Sequence, residues 1–584
     1  MAFIEYNLVK KEVSDLINQA IAKEFDKTYN SYRELNSPPK ANMGEYAFGC
    51  FPLTKDFKKA PNQIAKDLES LINSNIASGS NIKKAQAFGP YLNIFLDFNS
   101  LAQSTLESIL DESYFNLELT KESPKTMIEF SQPNTHKELH VGHMRNLCLG
   151  SAIVNLHKYC GFPTIATTFP GDVGTHVAKC LWFYKLHNLE EVPKMNKGAW
   201  LGTLYTKGNN LLEEQKGTDK EDQNRSELTK ILKELEEKKG EYYELWKETR
   251  QWSIDLMKEV YTWAQVDFDI WYWESDVDSA SVELVKKYQD KGLFIEDDGA
   301  VGIDLSEDKL GFCLVLKSDG TGLYSTKDIE LARRKFEDFE IEKNIYVVDN
   351  RQARHFKQVF KTLEKMGFKN ADKCFHLQYE MVELADGAMS SRKGNIIALR
   401  DLIDQMQDKI KNNYLHKYVD TWSAEDIDET ARIIASGAIK YGMTKIDSNK
   451  KIVFDMDEWL KLDGDSGPYI QYVCARINSI LVKKELNLTI ANFSKLNQDS
   501  EQEIIKKLLD FNETIEQSLL NYKTHLITSY LYDLSKLFNS YYAENKIISD
   551  DEELTHARLA LAKSVKETLG KGLNLLGITV PLKM

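Results

Sequence analysis

The stretch from Phe130 to Asn146 limits what this chain can fold into more than any other. Thr126-Met127-Ile128-Glu129-Phe130 is a short strand-like run, Pro133 stops it, and Leu147, Ala152, Leu156 and Tyr159 then recur at helical spacing. Strand, loop and helix start make the joint of a doubly wound parallel sheet, where nucleotides bind in the crevice. His140 and His143 lie three residues apart on one helix face near its positive end, with Gly142 between them and Lys137 just upstream. Imidazoles and an ammonium so placed can donate hydrogen bonds to phosphate oxygens, and Gly142 lets a flat base lie against the backbone. Two histidines at a helix start are also commonly surface or capping residues, so the spacing alone leaves both readings open.

A chain of 584 residues divides into roughly three to five domains. The formal charge of −14 argues weakly against a nucleic-acid partner, yet a local basic groove still binds phosphates. The Lys-bearing faces between Lys233 and Lys247 and at Lys506-Lys507 read as solvated helix surface. Seven scattered cysteines without a C-x-x-C pair argue against a disulfide framework or a structural zinc site. The N-terminus has no basic segment followed by an apolar core, and no run of eighteen apolar residues occurs, so a cytoplasmic protein without a membrane partner is expected.

Along the chain, residues 1–118 alternate helix-like and strand-like runs, with Ala60-Pro61 suiting a helix start and Gly89-Pro90 before Tyr91 to Leu96 suiting a strand. A second strand, Pro163 to Phe169, closes on Gly171-Asp172-Val173-Gly174-Thr175-His176. Residues 185–290 read as a polar, helix-rich insertion to which no chemistry is assigned. The second half of the fold is expected to begin at the strand run Leu314-Val315-Leu316, after which Tyr324 and Asp328 fall four apart on one helix face. Ile345 to Asp349 is apolar, as a strand buried on both faces requires, and the crevice rule makes Gln352 and His355, just past its end, ligand-facing. Asp386 to Asn395 is a glycine-bounded loop carrying Arg392 and Lys393, able to close over a triphosphate. Residues 401–460 read as a helical connector, and 461–584 as a helix-rich region with many tyrosines.

Four of these motifs, in this order, resemble the arginyl-tRNA synthetases of class I: the first signature with Glu129, Ser131, Asn134, Lys137, His140 and His143; Tyr324 with Asp328; Gln352 with His355; and the loop around Met389-Ser390-Ser391-Arg392-Lys393. The resemblance implies a multidomain α/β protein. Its doubly wound, Rossmann-type catalytic domain (119–400) would carry an N-terminal α+β domain (1–118) that contacts the tRNA elbow and, beyond the connector, a C-terminal all-α anticodon-binding domain (461–584). It implies ATP-dependent ligation of L-arginine to cognate tRNA through an arginyl-adenylate, with Mg2+ accompanying ATP, no structural metal, and a monomer.

Catalytic roles fall by resemblance on His140, His143, Lys137, Arg392 and Lys393, and ATP contacts on His140, Gly142, His143, Asp172, Gly174, His355, Met389, Ser390 and Ser391. Arginine contacts fall on Glu129, Ser131, Asn134, Tyr324, Asp328 and Gln352. The chemistry agrees, because a guanidinium is a planar fork of donors and these side chains offer acceptors. Val173 and His176 stand where the family more often has tryptophan and glutamine, and Ala388 where other class I enzymes often have lysine; Lys137 is expected to supply that charge. Tyr530, Tyr532, Tyr541 and Tyr542 offer rings that could stack on unpaired bases, although their spacing suits core positions as well. Two rival readings make distinct predictions: a tRNA-independent ATP-dependent ligase predicts no helical C-terminal region, and an inactive RNA-binding paralogue predicts loss of the signature residues.

Overall fold

The computed structural model describes residues 7–120, 122–384, 387–388 and 397–584. At the N-terminal end, β1 (Tyr46–Gly49), β2 (Ile82–Phe88) and β3 (Tyr91–Leu96) form an antiparallel sheet in the order β1-β3-β2. The hairpin between β2 and β3 turns on Gly89 at φ +59°, a conformation that suits glycine. Helix Pro61–Asn73 carries its proline in the first turn, where no N–H is needed, and buries Ile64, Ala65, Leu68 and Ile72.

The centre is a five-stranded parallel sheet in the order β11-β10-β4-β5-β6, built from β4 (Thr126–Glu129), β5 (Thr164–Thr168), β6 (Ile270–Trp271), β10 (Lys343–Asp349) and β11 (Cys374–Tyr379). Every residue of β4 is buried, and so are Asn344 to Val347 of β10, as expected of strands covered on both faces. Strand order reverses between β4 and β10, with Glu129 opposite Tyr346, so the crevice opens at their carboxyl ends. Helix Val141–Tyr159 follows β4 and lies directly on the sheet: a Cβ at Gly150 would fall 2.2 Å from Cγ of Phe130, so only glycine permits this approach.

Two expectations need correction. The run Leu314-Val315-Leu316 is a strand, but it lies in β9 (Gly311–Leu316) of a separate antiparallel sheet with β7 (Ile295–Asp297) and β8 (Ala300–Leu305). Leu314 is exposed while Val315 and Leu316 are buried, the mark of a one-sided sheet. The segment 185–290 is also not a mere surface insertion, because its short strand β6 completes the parallel sheet beside β5.

A small sheet of β12 (Val382–Leu384), β13 (Gly387–Ala388) and β14 (Ile452–Val453) leads into helix Leu399–Ile410 and the long helix Ala424–Thr444, which packs on Val141–Tyr159. The C-terminal region is helical: Gly467–Lys483, Asp499–Leu509, Phe511–Asn521, His525–Glu544 and Glu552–Leu575. It docks on the N-terminal domain through Arg33 and Glu516 at 2.5 Å, Lys506 and Glu45 at 2.9 Å, and the Tyr114 hydroxyl donating to the Leu508 carbonyl at 2.8 Å. Tyr530 and Tyr541 are core residues here, their hydroxyls donating to the Lys507 carbonyl and to Glu501, which removes them from any base-stacking surface. Tyr532 and Tyr542 remain at the surface, near Tyr469 and Arg476 respectively.

Candidate active site

The loop after β4 is held in a shape that few side chains adopt freely. Ser131 and His136 have φ of +54° and +57°, and buried partners fix both. The backbone N–H of Ser131 donates to Oδ1 of Asn146 at 2.6 Å, and Asn146 in turn donates to the Val347 carbonyl of β10 at 2.9 Å, so the last residue of the signature ties the two central strands. His136 lies between two hydroxyls, Nδ1 to Thr135 at 2.9 Å and Nε2 to Thr249 at 2.8 Å, while its backbone N–H donates to Ser253 at 2.9 Å. Burial, with the nearby Arg250 charge, pushes its pKa down to about 3, so the ring is neutral. Thr249 and Ser253 come from helix Glu241–Ala264, so the segment given no chemistry buttresses the signature loop.

His140 and His143 take the capping role that their spacing allowed, and that role leaves one ring nitrogen of each uncommitted to the cap. Nδ1 of His140 accepts the Gly142 N–H, and Nδ1 of His143 accepts the His140 N–H, each at 3.1 Å, a reciprocal cap on Val141–Tyr159. A nitrogen that accepts cannot carry the proton of a neutral ring, so the proton sits on Nε2 of each, which is left to donate. Burial first, and Lys137 after it, lowers His140 to about 4; burial, the His140 ring and Lys137 hold His143 well below its ordinary value. Both are therefore neutral N–H donors. The ammonium of Lys137 lies 5.1 Å over the Tyr205 ring. The backbone around His140 is also paired with the far side of the second signature loop: Val141 N–H donates to the Ile397 carbonyl at 3.3 Å and Leu399 N–H to Leu139 at 2.9 Å.

At the strand switch lies a cavity of about 380 Å³. Of the expected site residues it brings together Glu129, Ser131, Asn134, His143, Tyr324, Asp328, Gln352 and His355. His140, Gly142, Lys137, Asp172 and Gly174 do not line it. Met389, Ser390, Ser391, Arg392 and Lys393 lie outside the described residues. Asp172, expected beside the nucleotide, is wholly buried, with Oδ2 bonded to Nε of Arg250 and to the Ser275 hydroxyl, both at 2.7 Å, and Oδ1 accepting the Ser275 N–H at 3.0 Å. Gly174, at φ +110°, starts helix Thr175–Leu186. Val173 packs in the apolar cluster around Val177 and Trp182, and the His176 ring meets the Gly171 carbonyl at 3.3 Å. His355, also expected at the nucleotide, turns Nε2 to Oδ2 of Asp328 at 2.5 Å.

Several pocket residues carried no local signal. Glu274 heads helix Glu274–Gln289 just past the end of β6; the crevice rule would have found it had the two-residue strand been legible. Burial, with the nearby charges of Asp172 and Asp328, pushes its carboxyl up to about 7 against the opposing pull of Lys327, which lies 3.4 Å away and also meets Asp278 at 3.3 Å. Glu129 is paired with the fully buried ammonium of Lys335, which also lies 4.5 Å over the Tyr346 ring. Tyr379 closes another wall, its hydroxyl accepting from Asn146 at 3.1 Å. The whole is an acid-rich pocket suited to a cationic ligand, with the neutral donor His143 at one end.

The sequence matches three family models: the arginyl-tRNA synthetase N-terminal domain over residues 11–96, the class I (R) tRNA synthetase catalytic domain over 105–456, and the DALR anticodon-binding domain over 470–584. It is 52% identical to the arginine–tRNA ligase of Bdellovibrio bacteriovorus over the full length of both chains, and 34% identical to that of Treponema denticola over 97% of each. The fold superposes on Thermus thermophilus arginyl-tRNA synthetase with a TM-score of 0.80 at 25% identity, covering 99% of this chain and all of the other.

Proposed function

The chain belongs to the arginyl-tRNA synthetase family, and from that premise we propose how its side chains divide the ligation of arginine to tRNA. The enzyme uses ATP and is an arginine–tRNA ligase. The observation that carries the assignment is the cavity at the β4–β10 switch, which Asp328, Glu274, Tyr324 and His143 line together. Asp328 and Glu274 take the guanidinium, because a bidentate fork needs carboxylate acceptors and the Glu274 carboxyl, raised to about 7 by burial, ionises fully when a further cation docks on it. Lysine would leave one acceptor unpaired. Glu129, already paired with Lys335, completes the lining with Ser131 and Asn134.

The first turn of Val141–Tyr159 would take the ATP phosphates, whose charge Mg2+ would help to neutralise. The arginine carboxylate attacks the α-phosphorus, and pyrophosphate leaves with its negative charge. Nε2–H of His140 and of His143 donate to the phosphate oxygens as that charge develops, helped by the helix N-terminus and by Lys137. The motif that Arg392 and Lys393 match in the family assigns them to neutralising the triphosphate, and Asp172 supports the nucleotide wall through Arg250. A ribose hydroxyl of the tRNA then displaces AMP from the adenylate. Residues 1–118 meet the tRNA elbow, and the helices beyond residue 460 take the anticodon. On them Tyr472 and Tyr542, both under the Arg476 guanidinium, and Tyr532 offer stacking faces. We place the enzyme in the cytoplasm as a monomer; its seven buried, free cysteines suit a reducing compartment.

In this reading the tRNA acceptor end completes the pocket, so activation waits for tRNA. ATP–pyrophosphate exchange with each of the twenty amino acids, by enzyme freed of RNA by nuclease and with or without added intact tRNA, tests it. Exchange with arginine alone, dependent on intact cognate tRNA, is expected; robust exchange by RNA-free enzyme would remove the gate, and exchange with another amino acid would remove the pocket assignment.

A further inference from the structure

Each carboxylate lining the cavity has a cation from the protein beside it among the described residues: Glu129 has Lys335, Glu274 has Lys327, Asp349 has Arg351, and Asp328 has His355. Three of these cations are fixed. The Lys335 side chain is completely buried, Lys327 bridges Glu274 and Asp278, and the Arg351 guanidinium grips both oxygens of Asp349 at 2.8 and 3.0 Å. Only the partner of Asp328 is an imidazole, the one group of the four able to shed its charge near neutral pH.

We propose that His355 is a proton-bearing placeholder for the substrate guanidinium: it holds Asp328 as an imidazolium while the pocket is empty and yields its proton to solvent when arginine docks on Asp328. This rests on the assignment of Asp328 to the guanidinium made above. The geometry requires a choice. With Nε2 of His355 already 2.5 Å from Oδ2 of Asp328, a guanidinium on the same half-buried carboxylate would put two cations against one anion. In the exchange the Nε2–H bond of His355 facing Asp328 breaks, its proton passes to buffer, and the guanidinium N–H groups take over the carboxylate. The charge at Asp328 is then the same before and after.

Among the described residues no other imidazole takes this part; the Glu274 carboxyl, raised to about 7, also faces Asp328 but carries no positive charge to hold it. From β11, His376 bonds the Val348 carbonyl at 2.9 Å and burial keeps it below its ordinary pKa. At the end of β10, Asp349 is occupied by Arg351; on the helix of His355 itself, Arg354 turns to the Leu310 carbonyl, and Phe356 offers only a ring edge at 5.3 Å. Burial disfavours the charged His355 ring, but the hydrogen bond and charge of Asp328 outweigh it and raise its pKa. A ligand with a neutral urea in place of the guanidinium brings no charge to replace the imidazolium, so the pair stays closed against it.

The test is calorimetric titration of L-arginine into the full chain saturated with cognate tRNA, at one pH slightly below neutral, in buffers of differing ionisation enthalpy. Release of up to one proton per arginine from His355 is expected, with apparent affinity falling about tenfold per pH unit on the acid side of the His355 titration. His355→Gln, with His355→Asn as a second variant should the first fold poorly, is expected to bind arginine with about one proton fewer released than the wild type, the remaining release being that of the Glu274 carboxyl, raised to about 7 in the empty pocket. Buffer-independent heats in the wild type, or release as large in the variants as in the wild type, would overturn the proposal. Asp328→Asn separates the two layers. If it loses arginine while the wild type releases no proton, only the placeholder fails; if it binds arginine normally, the pocket assignment fails with it.

Discussion

Nδ1 of His143 accepts the backbone N–H of His140 at 3.1 Å, and the two rings sit 3.9 Å apart, centroid to centroid. Because Nδ1 of each is committed to the helix cap, each has Nε2–H left to donate, as the proposed phosphate contact requires. His140→Ala and His143→Ala are each expected to slow tRNA-dependent pyrophosphate exchange by about 10²-fold, the scale of one lost transition-state donor. Asparagine at either position keeps an acceptor near Nδ1, so His143→Asn should retain the helix and its thermal midpoint yet lose the rate. Near-normal exchange in both alanine variants would sink the assignment.

Lys137 is expected to carry the charge that Ala388 lacks. Lys137→Ala should lower exchange sharply, and adding Ala388→Lys to it should recover part of the loss, since a cation can reach the triphosphate from either side of the crevice. Full activity in Lys137→Ala, with Ala388→Lys without effect, would end the compensation idea.

Lys335 is fully buried and Glu129 is its partner. Lys335→Met leaves a buried carboxylate unpaired and is expected to destabilise the protein by about 3–5 kcal/mol in urea unfolding. The pair Lys335→Met with Glu129→Gln should be milder than the lysine change alone; an additive double variant would show that the two charges do not compensate one another.

His136 and His157 are both buried, with pKa values of about 3 and about 4 caused chiefly by burial. Unfolding restores both to the ordinary value, so the unfolded chain binds more protons and these groups stabilise the fold only above it. As pH falls from about 6.5 toward 4, stability should drop by up to roughly 3 kcal/mol per pH unit from the two together. His355 runs the other way: its raised pKa gives a contribution full below the ordinary histidine range and lost as pH rises through the raised value. Chemical denaturation from pH 4.5 to 7.5 checks the balance, and His136→Gln should flatten the acid limb measurably.

What the sequence determined by itself was the part written in local patterns. The strand, loop and helix around His140, the apolar strand at Ile345 and the positions four apart at Tyr324 and Asp328 specify a doubly wound sheet with a crevice at a known place, because each depends on spacing within one segment. What only the tertiary structure decided was pairing across segments. A two-residue strand such as Ile270–Trp271 is too short to leave a periodic signature, so neither its place in the sheet nor the arrival of Glu274 in the pocket could be read in advance. The joining of Glu129 to Lys335 and of Asp328 to His355, and the burial of Asp172 against Arg250, likewise follow from helices and strands laid side by side. Tyr530 and Tyr541 differ from Tyr542 only in the helix face they share with neighbours. A charge or ring gains its role from what is brought against it, and the partners here lie 27 to 206 residues away along the chain.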